Sequence, residues 1–500
     1  MLGNGSEPEG LDPHIVTGVP EHFILAALLE GLLNENPKTL APEPGVAERW
    51  EVSKNGRVYT FFFRENARWT NGDPVKADDF AYSFQRMLTP ELGAKYGYML
   101  HVLKNAKPFN EGKLKDFSEV GVKAVDDRTL RLELEEATPY FLQLINHYSW
   151  YPVHPPTIEK FGGMTKRASE WTRPDNFVGN GAFSLKEWAL NKHIIAEKNP
   201  SYWDADTVQL QAVHFLPITS AETEEKMFRD GQLHATQTIP LTRIEHYQKN
   251  QPEVLRVDPY LGTYFYRVNV KHPVLRDARV RRALAMSINR HEITRFLLKA
   301  GQIPAYYMTP PNTAGYTSRT KFEFKPAKAQ ALLAEAGYPE GRGFPHFDIY
   351  YNTSEAHKKL AEAIQQMWKQ TLSIDVGLFN QEWKVYLDTV NKVKYDVARA
   401  GWIGDYNDPN TFLDMWVTGG GNNQTHWSNA RYDALIKLAS QTADPAARFE
   451  KFQEAEAILL EEMPVIPIYF YVSLSLVKEN VRGWHPNILD HHPYKHIHLE

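Results

Sequence analysis

Apolar positions recur along the chain at two spacings, and each spacing predicts a kind of element. From Ser354 to about Thr371, His357, Leu360, Ala361, Ile364 and Trp368 fall three or four apart, while Lys358, Lys359, Glu362, Gln366 and Lys369 take the opposite positions. A 3.6-residue period predicts an amphipathic helix with His357 on its inward face near the start. A second helix is expected from Asp78 to Leu88, with Asp78 and Asp79 at the positive end of its macrodipole and Pro90 beyond its stop. Val58–Phe63 and Thr129–Leu134 are β-branched or alternating runs bounded by Asn-Gly or Asp-Asp turn signals, and they predict strands.

Lys394–Trp402 also reads as a strand, placing Val397, Arg399 and Gly401 on one side and Ala398, Ala400 and Trp402 on the other. It runs into the turn-rich Gly404-Asp405-Tyr406-Asn407-Asp408-Pro409. Arg399 and Asp405 thus stand six residues apart, a span of about 20 Å at most in extended chain. Two opposite charges at that separation can hold the two ends of a short zwitterion.

Strands alternate with helices throughout, with no fixed-period repeat and no Gly/Ser linker, which predicts interleaved α/β domains. A length of 500 residues suits about three domains. With 42% hydrophobic and 23% charged residues, disorder, collagen and coiled coil are excluded as dominant states. Lys+Arg 56 against Asp+Glu 61 leaves a net charge of −5, so no basic excess draws the chain to phosphate backbones, and no nucleic-acid partner is expected. The longest apolar stretches, Phe23–Leu29 and Val465–Val477, fall short of the roughly 20 residues of a membrane span. Zero cysteines removes disulfides, cysteine-ligated metals and a cysteine nucleophile together. No signal segment precedes Gly3-Asn4-Gly5-Ser6, so the sequence is expected to be a mature domain whose targeting segment was removed.

The chemistry of common enzymes is missing. No phosphate loop, nucleophile elbow or complete zinc helix occurs, and His291-Glu292-Ile293-Thr294-Arg295 stops before a second histidine. A peptidase or glycosidase would have to use one carboxylate pair among 61 acidic residues. Gly419-Gly420-Gly421 reads as a flexible loop. The histidines of His491-His492-Pro493-Tyr494-Lys495-His496-Ile497-His498 could ligate a metal, but the plainer expectation is a frayed polar tail or a strand with outward histidines. Trp383, Tyr386 and Trp402 lie among polar neighbours, where aromatic rings can line a wet groove.

Several motifs together resemble one family. Gly45-Val46-Ala47-Glu48-Arg49-Trp50, Arg64-Glu65-Asn66-Ala67-Arg68-Trp69-Thr70-Asn71-Gly72-Asp73-Pro74-Val75 and Ala77-Asp78-Asp79-Phe80 form a block that closely resembles the signature of the peptide and nickel class of ABC-importer solute-binding proteins. The similarity to the oligopeptide-binding members extends from about residue 4 to 478. It takes in Val178-Gly179-Asn180-Gly181-Ala182, Tyr351-Asn352-Thr353-Ser354, Asn380-Gln381-Glu382-Trp383-Lys384 and Asp396–Trp402.

The resemblance implies a type II periplasmic-binding-protein fold, two lobes closing over a peptide, with an additional third domain. Residues 1–29, 156–260 and 473–500 would form domain I, 30–155 domain II and 261–472 domain III. It implies a non-enzymatic receptor that hands short peptides to an ABC permease. It also implies no cofactor, a monomer, and a periplasmic or otherwise extracytoplasmic location with a lipid anchor left open. Residue by residue, Asp405 matches the group that receives the ligand α-ammonium, and Gly401 and Trp402 match the backbone edge that pairs with the peptide. Thr17, Gly18 and Val19 match its counterpart in the opposite lobe. Arg399 and His357 match carboxylate contacts, and Trp383, Leu387 and Tyr96 match pocket walls.

The sequence also departs from that pattern. In Tyr264-Phe265-Tyr266-Arg267-Val268-Asn269, Arg267 stands where the oligopeptide binders carry glutamate, and Thr17 replaces an acidic residue. A lysine expected for one carboxylate register is shifted to Lys299. With Tyr266 and Arg267 among the candidate contacts, the pocket is expected to be more positive, favouring acidic side chains or an extra carboxylate. A murein peptide, which carries such a carboxylate, is therefore the alternative ligand. A nickel or haem carrier is a weaker one, resting on dispersed histidines.

Overall fold

The computed structural model describes residues 1–442 and 444–500. The chain forms two compact units, one of Met1–Ile218, Met227–Gln237 and Val477–Glu500, the other of Thr219–Lys226 and Thr238–Leu476.

The first unit carries the strands β1 (Leu2–Gly3), β2 (Ala47–Val52), β3 (Val58–Phe63), β4 (Val122–Asp126), β5 (Thr129–Glu133), β6 (Phe183–Ala189), β7 (His193–Lys198) and β8 (Ala212–Leu216). They build two separate four-stranded sheets, ordered β1-β8-β7-β6 and β2-β3-β5-β4. The alternation in β3 does what its sequence predicts: Tyr59, Phe61 and Phe63 are buried, and the residues between them are half-exposed. Helices α1 (Val19–Leu28) and α2 (Ala77–Leu88) pack in this unit. Asp79 fixes the start of α2, accepting hydrogen bonds from the Lys76 backbone N–H and Trp69 Nε1, each at 2.9 Å. Phe80, Phe84, Met87 and Leu88 bury the inner face of α2. On that face Arg86 is fully buried and grips Asp12 through both guanidinium nitrogens at 2.9 and 2.6 Å, with His14 Nδ1 at 2.8 Å.

The second unit is built on one mixed sheet of β9 (Leu255–Val268), β10 (Ile303–Pro304), β11 (Asp348–Asn352), β12 (Gly377–Gln381), β13 (Val397–Ile403) and β14 (Val465–Leu476), in the order β10-β14-β9-β13-β11-β12. Helix α3 (Glu355–Leu372) is the predicted amphipathic helix. Ser354 caps it by accepting from the His357 N–H, and Leu360, Ala361, Ile364 and Trp368 are buried in the core against Tyr264, Tyr266 and Val397. Helices α4 (Trp383–Asn391), α5 (Asn410–Leu413) and α6 (Pro445–Glu462) complete the part that matters for the site.

The C-terminal segment corrects the expectation of a frayed tail. His491 Nδ1 meets Glu35 Oε2 at 2.6 Å, and His492 pairs with Asp490 at 2.9 Å while its ring stacks on Trp484 with centroids 4.0 Å apart. His498–Leu499 pairs as a strand with Val481–Arg482. His491 is held by Glu35, a partner too far away in sequence for a local pattern to reveal, whereas His492 is held by the nearby Asp490 and Trp484. No group of three or more metal-ligating side chains forms among the described residues.

Candidate functional site

Strand β13 pairs with β9 in unbroken antiparallel register over all seven of its residues, from Gly262↔Ile403 to Val268↔Val397. Its other neighbour, β11, meets it only at Val397 and Ala398. Among the described residues no strand pairs with that side of β13 from Arg399 onward, and past the Arg399 carbonyl, which accepts from Tyr386 Oη, the backbone edge is available for an added strand. The same register fixes the faces: Tyr264 and Tyr266 lie opposite Gly401 and Arg399 on one, and Phe265 and Arg267 lie opposite Ala400 and Ala398 on the other.

Arg399 is half-buried beside neutral groups. Its guanidinium lies 5.1 Å from the Tyr264 ring centre, donates to Tyr471 Oη at 3.2 Å and reaches Asn352 Oδ1 at 3.3 Å, and its Nε is buried with no partner among the described residues. The groups that bear on it are tyrosines and an asparagine, with no carboxylate paired to it among those residues, and a guanidinium stays charged at any ordinary pH. A ligand carboxylate would complete its hydrogen bonding. The His357 ring lies 5.7 Å from that of Tyr264. Burial and the Arg399 charge push its imidazole well below the usual range, so His357 is neutral at pH 7. Gly401 has a steric reason to be glycine: a Cβ there would lie 2.6 Å from Tyr471 Oη.

Six residues on, Asp405 is half-buried. Its Oδ2 accepts from Thr411 Oγ1 at 3.1 Å, and the same hydroxyl oxygen accepts from the Asp405 backbone N–H at 3.1 Å and from Trp402 Nε1 at 3.3 Å. One threonine of α5 thus joins the strand's last aromatic to the aspartate after it. Next to it, Asp408 and Arg448 form a buried two-bond ion pair at 2.7 and 2.8 Å.

The other candidates fall into three places. Arg267, 9% exposed, lies on the face away from Arg399, near the Phe265 ring and close enough to Tyr386 and Tyr395 to affect their phenols. Trp383 packs on that same cluster, and Leu387 follows it one turn later on α4, half-buried. Tyr386 of α4 donates to the Arg399 carbonyl. Lys299 is at the surface, paired with Glu245 at 2.9 Å. Thr17, Gly18, Val19 and Tyr96 belong to the first unit. Gly18 is buried, with extended backbone, as the residue before α1, Val19 is 37% exposed as its first residue, and Tyr96 is buried against His147 and Tyr148. Sequence reasoning missed Asn352, Tyr471, Thr411 and the Asp408–Arg448 pair. The period-two spacing of Tyr264 with Tyr266 and of Tyr469 with Tyr471 was the available signal for an aromatic face around Arg399.

Comparison with known proteins extends this picture. The profile of the bacterial extracellular solute-binding proteins, family 5 (middle), matches residues 41–424. The chain is 41% identical to the periplasmic oligopeptide-binding protein OppA of Salmonella typhimurium, over 97% of this chain and 89% of that one. It is 37% identical to the periplasmic murein peptide-binding protein MppA of Escherichia coli, over 96% and 88%. The solved structure of that murein tripeptide-binding protein superposes with a TM-score of 0.94, covering all of this chain and 97% of the other. Haemophilus influenzae OppA in complex with the peptide RPPGFSPFR gives 0.93 at 34% identity, over 100% and 98%. The fold is therefore the α/β periplasmic-binding-protein fold of type II, and the chain belongs to the bacterial extracellular solute-binding proteins of family 5.

Proposed function

We propose that this protein is a non-enzymatic extracytoplasmic receptor that binds short peptides and delivers them to the permease of an ABC importer. The observation that carries the reading is the strand-free edge of β13, with Arg399 at its start and Asp405 just past its end. A peptide whose carboxylate meets Arg399 and whose ammonium meets Asp405 runs antiparallel to β13. Its main chain can then pair with the edge, so affinity comes from backbone and termini and not from side-chain identity. Neutral His357 adds a donor or acceptor beside Arg399 without competing for the carboxylate's charge. We take the protein to act as a monomer without nucleic acid, in keeping with its net charge of −5. We take the two sheets of the first unit to mark domains I and II.

Asp405→Ala tests the reading. Leaving the peptide's ammonium desolvated and unpaired should cost on the order of 3–5 kcal/mol of binding free energy. Calorimetry with a peptide identified by native mass spectrometry of the purified protein measures it, and unchanged affinity would refute the assignment.

A second reading, a murein peptide receptor, rests on the likeness to MppA at a TM-score of 0.94, a likeness that the oligopeptide-binding structures match. Parallel titrations with linear tripeptides and murein tripeptide separate the two. Arg267, which motivates this reading in the sequence, lies on the face of the sheet away from Arg399. A linear preference that survives Arg267→Glu unchanged removes that motive.

A further inference from the structure

Around Asp405 the chain gathers three carboxylates and one guanidinium. Asp408 and Arg448 neutralise each other through two short bonds. The third carboxylate, Asp414, follows α5 directly. Its Oδ2 accepts from Asn410 Nδ2 at 2.8 Å, and its Oδ1 is buried with no partner among the described residues. Asn410 is 6% exposed. Its Nδ2 is satisfied by Asp414 and by Tyr406 Oη at 3.0 Å, while its own Oδ1 is likewise buried without a partner.

Two residues one helical turn apart thus share one hydrogen bond, and each keeps an orphaned oxygen. A carboxylate oxygen and an amide oxygen both only accept, so nothing joins them while Asp414 is ionised. Leaving two buried acceptors unmet forfeits the desolvation free energy of each group.

A single proton resolves both. We propose that Asp414 is carried protonated at neutral pH, its Oδ1–H donating to Asn410 Oδ1 while its Oδ2 accepts from Asn410 Nδ2. The two side chains then close a two-bond acid–amide ring that positions the turn below Asp405 and removes one negative charge from its surroundings. Formally, Asp405, Asp408, Asp414 and Arg448 sum to −2 with every carboxylate ionised, and to −1 with the proton on Asp414. The electrostatics agree. Burial, then the charges of Asp405 and Asp408, hold Asp414 well above the usual carboxylate range, against the opposing pull of Asn410 and of Arg448 on α6. Tyr432, which donates to the Leu413 carbonyl, and Tyr406 are the other titratable groups near it, and burial pushes the Tyr432 phenol well above its ordinary range, so it stays neutral.

The consequence for the ligand rests on the proposed role of Asp405. Neighbouring carboxylates titrate as a coupled pair, and a proton held by Asp414 leaves Asp405 free to be the ionised member. An ammonium arriving at Asp405 favours negative charge nearby and so makes Asp414 more acidic. Binding should therefore release a fraction of a proton, and this release should be absent in Asp414→Asn, which keeps the ring's shape but cannot titrate.

Infrared spectroscopy of the wild-type protein with ¹³C-carboxyl aspartate reads the proton directly. A protonated-carboxyl C=O band that moves with the label at pH 7 is expected, and its absence overturns the proposal even if no variant folds. The band should vanish in Asp414→Asn, and its persistence there would assign the proton to another aspartate and overturn the proposal. Calorimetry in buffers of different ionisation enthalpy, between about pH 6 and 9, reads the coupling. The wild-type affinity relative to Asp414→Asn should rise several-fold across that range, and equal proton release in both proteins overturns the link to Asp405. If Asp405→Ala keeps full affinity while the infrared band is present, the peptide reading fails and the protonated Asp414 stands.

Discussion

Gly401→Ala tests the site through one methyl group. Gly401 is strand backbone with negative φ, so alanine brings no conformational strain and the effect is purely steric. The new Cβ would lie 2.6 Å from Tyr471 Oη and 3.3 Å from two ring carbons. Ordinary contact begins near 3.4 Å, so the phenol tip must move by roughly 0.8 Å, whereas the ring carbons need almost no movement. That hydroxyl also takes the 3.2 Å bond from Arg399, already long, so displacing it disturbs that bond. Overpacking of this kind costs about 1–3 kcal/mol, which in a unit of this size lowers the melting temperature by about 2–10 °C. Tyr471→Phe removes the clashing atom. The double variant Gly401→Ala/Tyr471→Phe should therefore be more stable than the two single losses predict, by about 0.5–2 kcal/mol of interaction energy. Thermal unfolding of the four proteins measures the cycle, and calorimetry alongside it should show weaker peptide binding in Gly401→Ala, because Arg399 has lost a restraint. A cycle that is additive within error would refute the account of why glycine occupies this position.

Two further outcomes follow from buried charges. Asp408→Ala leaves the Arg448 guanidinium, whose side chain is 6% exposed, without its carboxylate; it should lose about 3–5 kcal/mol, and replacing both residues with apolar ones should lose less. Denaturant titration that finds the single variant within about 1 kcal/mol of wild type would contradict the ion pair's burial. In the first unit, burial and the Arg86 charge push His14 down to about 4 from its ordinary 6.5. The unfolded chain takes up a proton below 6.5 that the folded one refuses until about 4, so the stability is fully present above 6.5 and is lost as pH falls towards 4. The loss amounts to about 3 kcal/mol, and a melting temperature flat between those two pH values would refute it.

How much of this was legible in the sequence depended on how local each signal was. The period of α3 and the alternation of β13 are written within a dozen residues, and both elements formed where the spacing placed them, β13 starting three residues late at Val397. The separation of Arg267 from Arg399 needs the register of β9 against β13, which depends on residues more than a hundred positions apart. Asp408 finding Arg448, and His491 finding Glu35, are long-range pairings of the same sort. The expected domain boundaries at 260 and 473 compare with a second unit that begins at Thr238, ends at Leu476 and takes in Thr219–Lys226, a short excursion that no composition shift announces.

The chemistry of the site follows from what the sheet leaves undone. A strand paired along its whole length on both sides offers a ligand only side chains, and side chains select for identity. β13 keeps β11 for two residues and then runs on without it, so its exposed groups are those every peptide can meet, whatever its sequence. On the proposed reading, selectivity then comes from the ends. Arg399 is held by a tyrosine hydroxyl, an amide and an aromatic face, none of which cancels its charge, so a carboxylate gains the full benefit of a charged donor in a half-buried setting. Substituting Asn352 by aspartate would supply the missing counter-charge from within. A receptor that needs an open guanidinium should lose peptide affinity in Asn352→Asp even as the fold becomes no less stable, and that divergence of binding from stability separates a ligand role for Arg399 from a purely structural one.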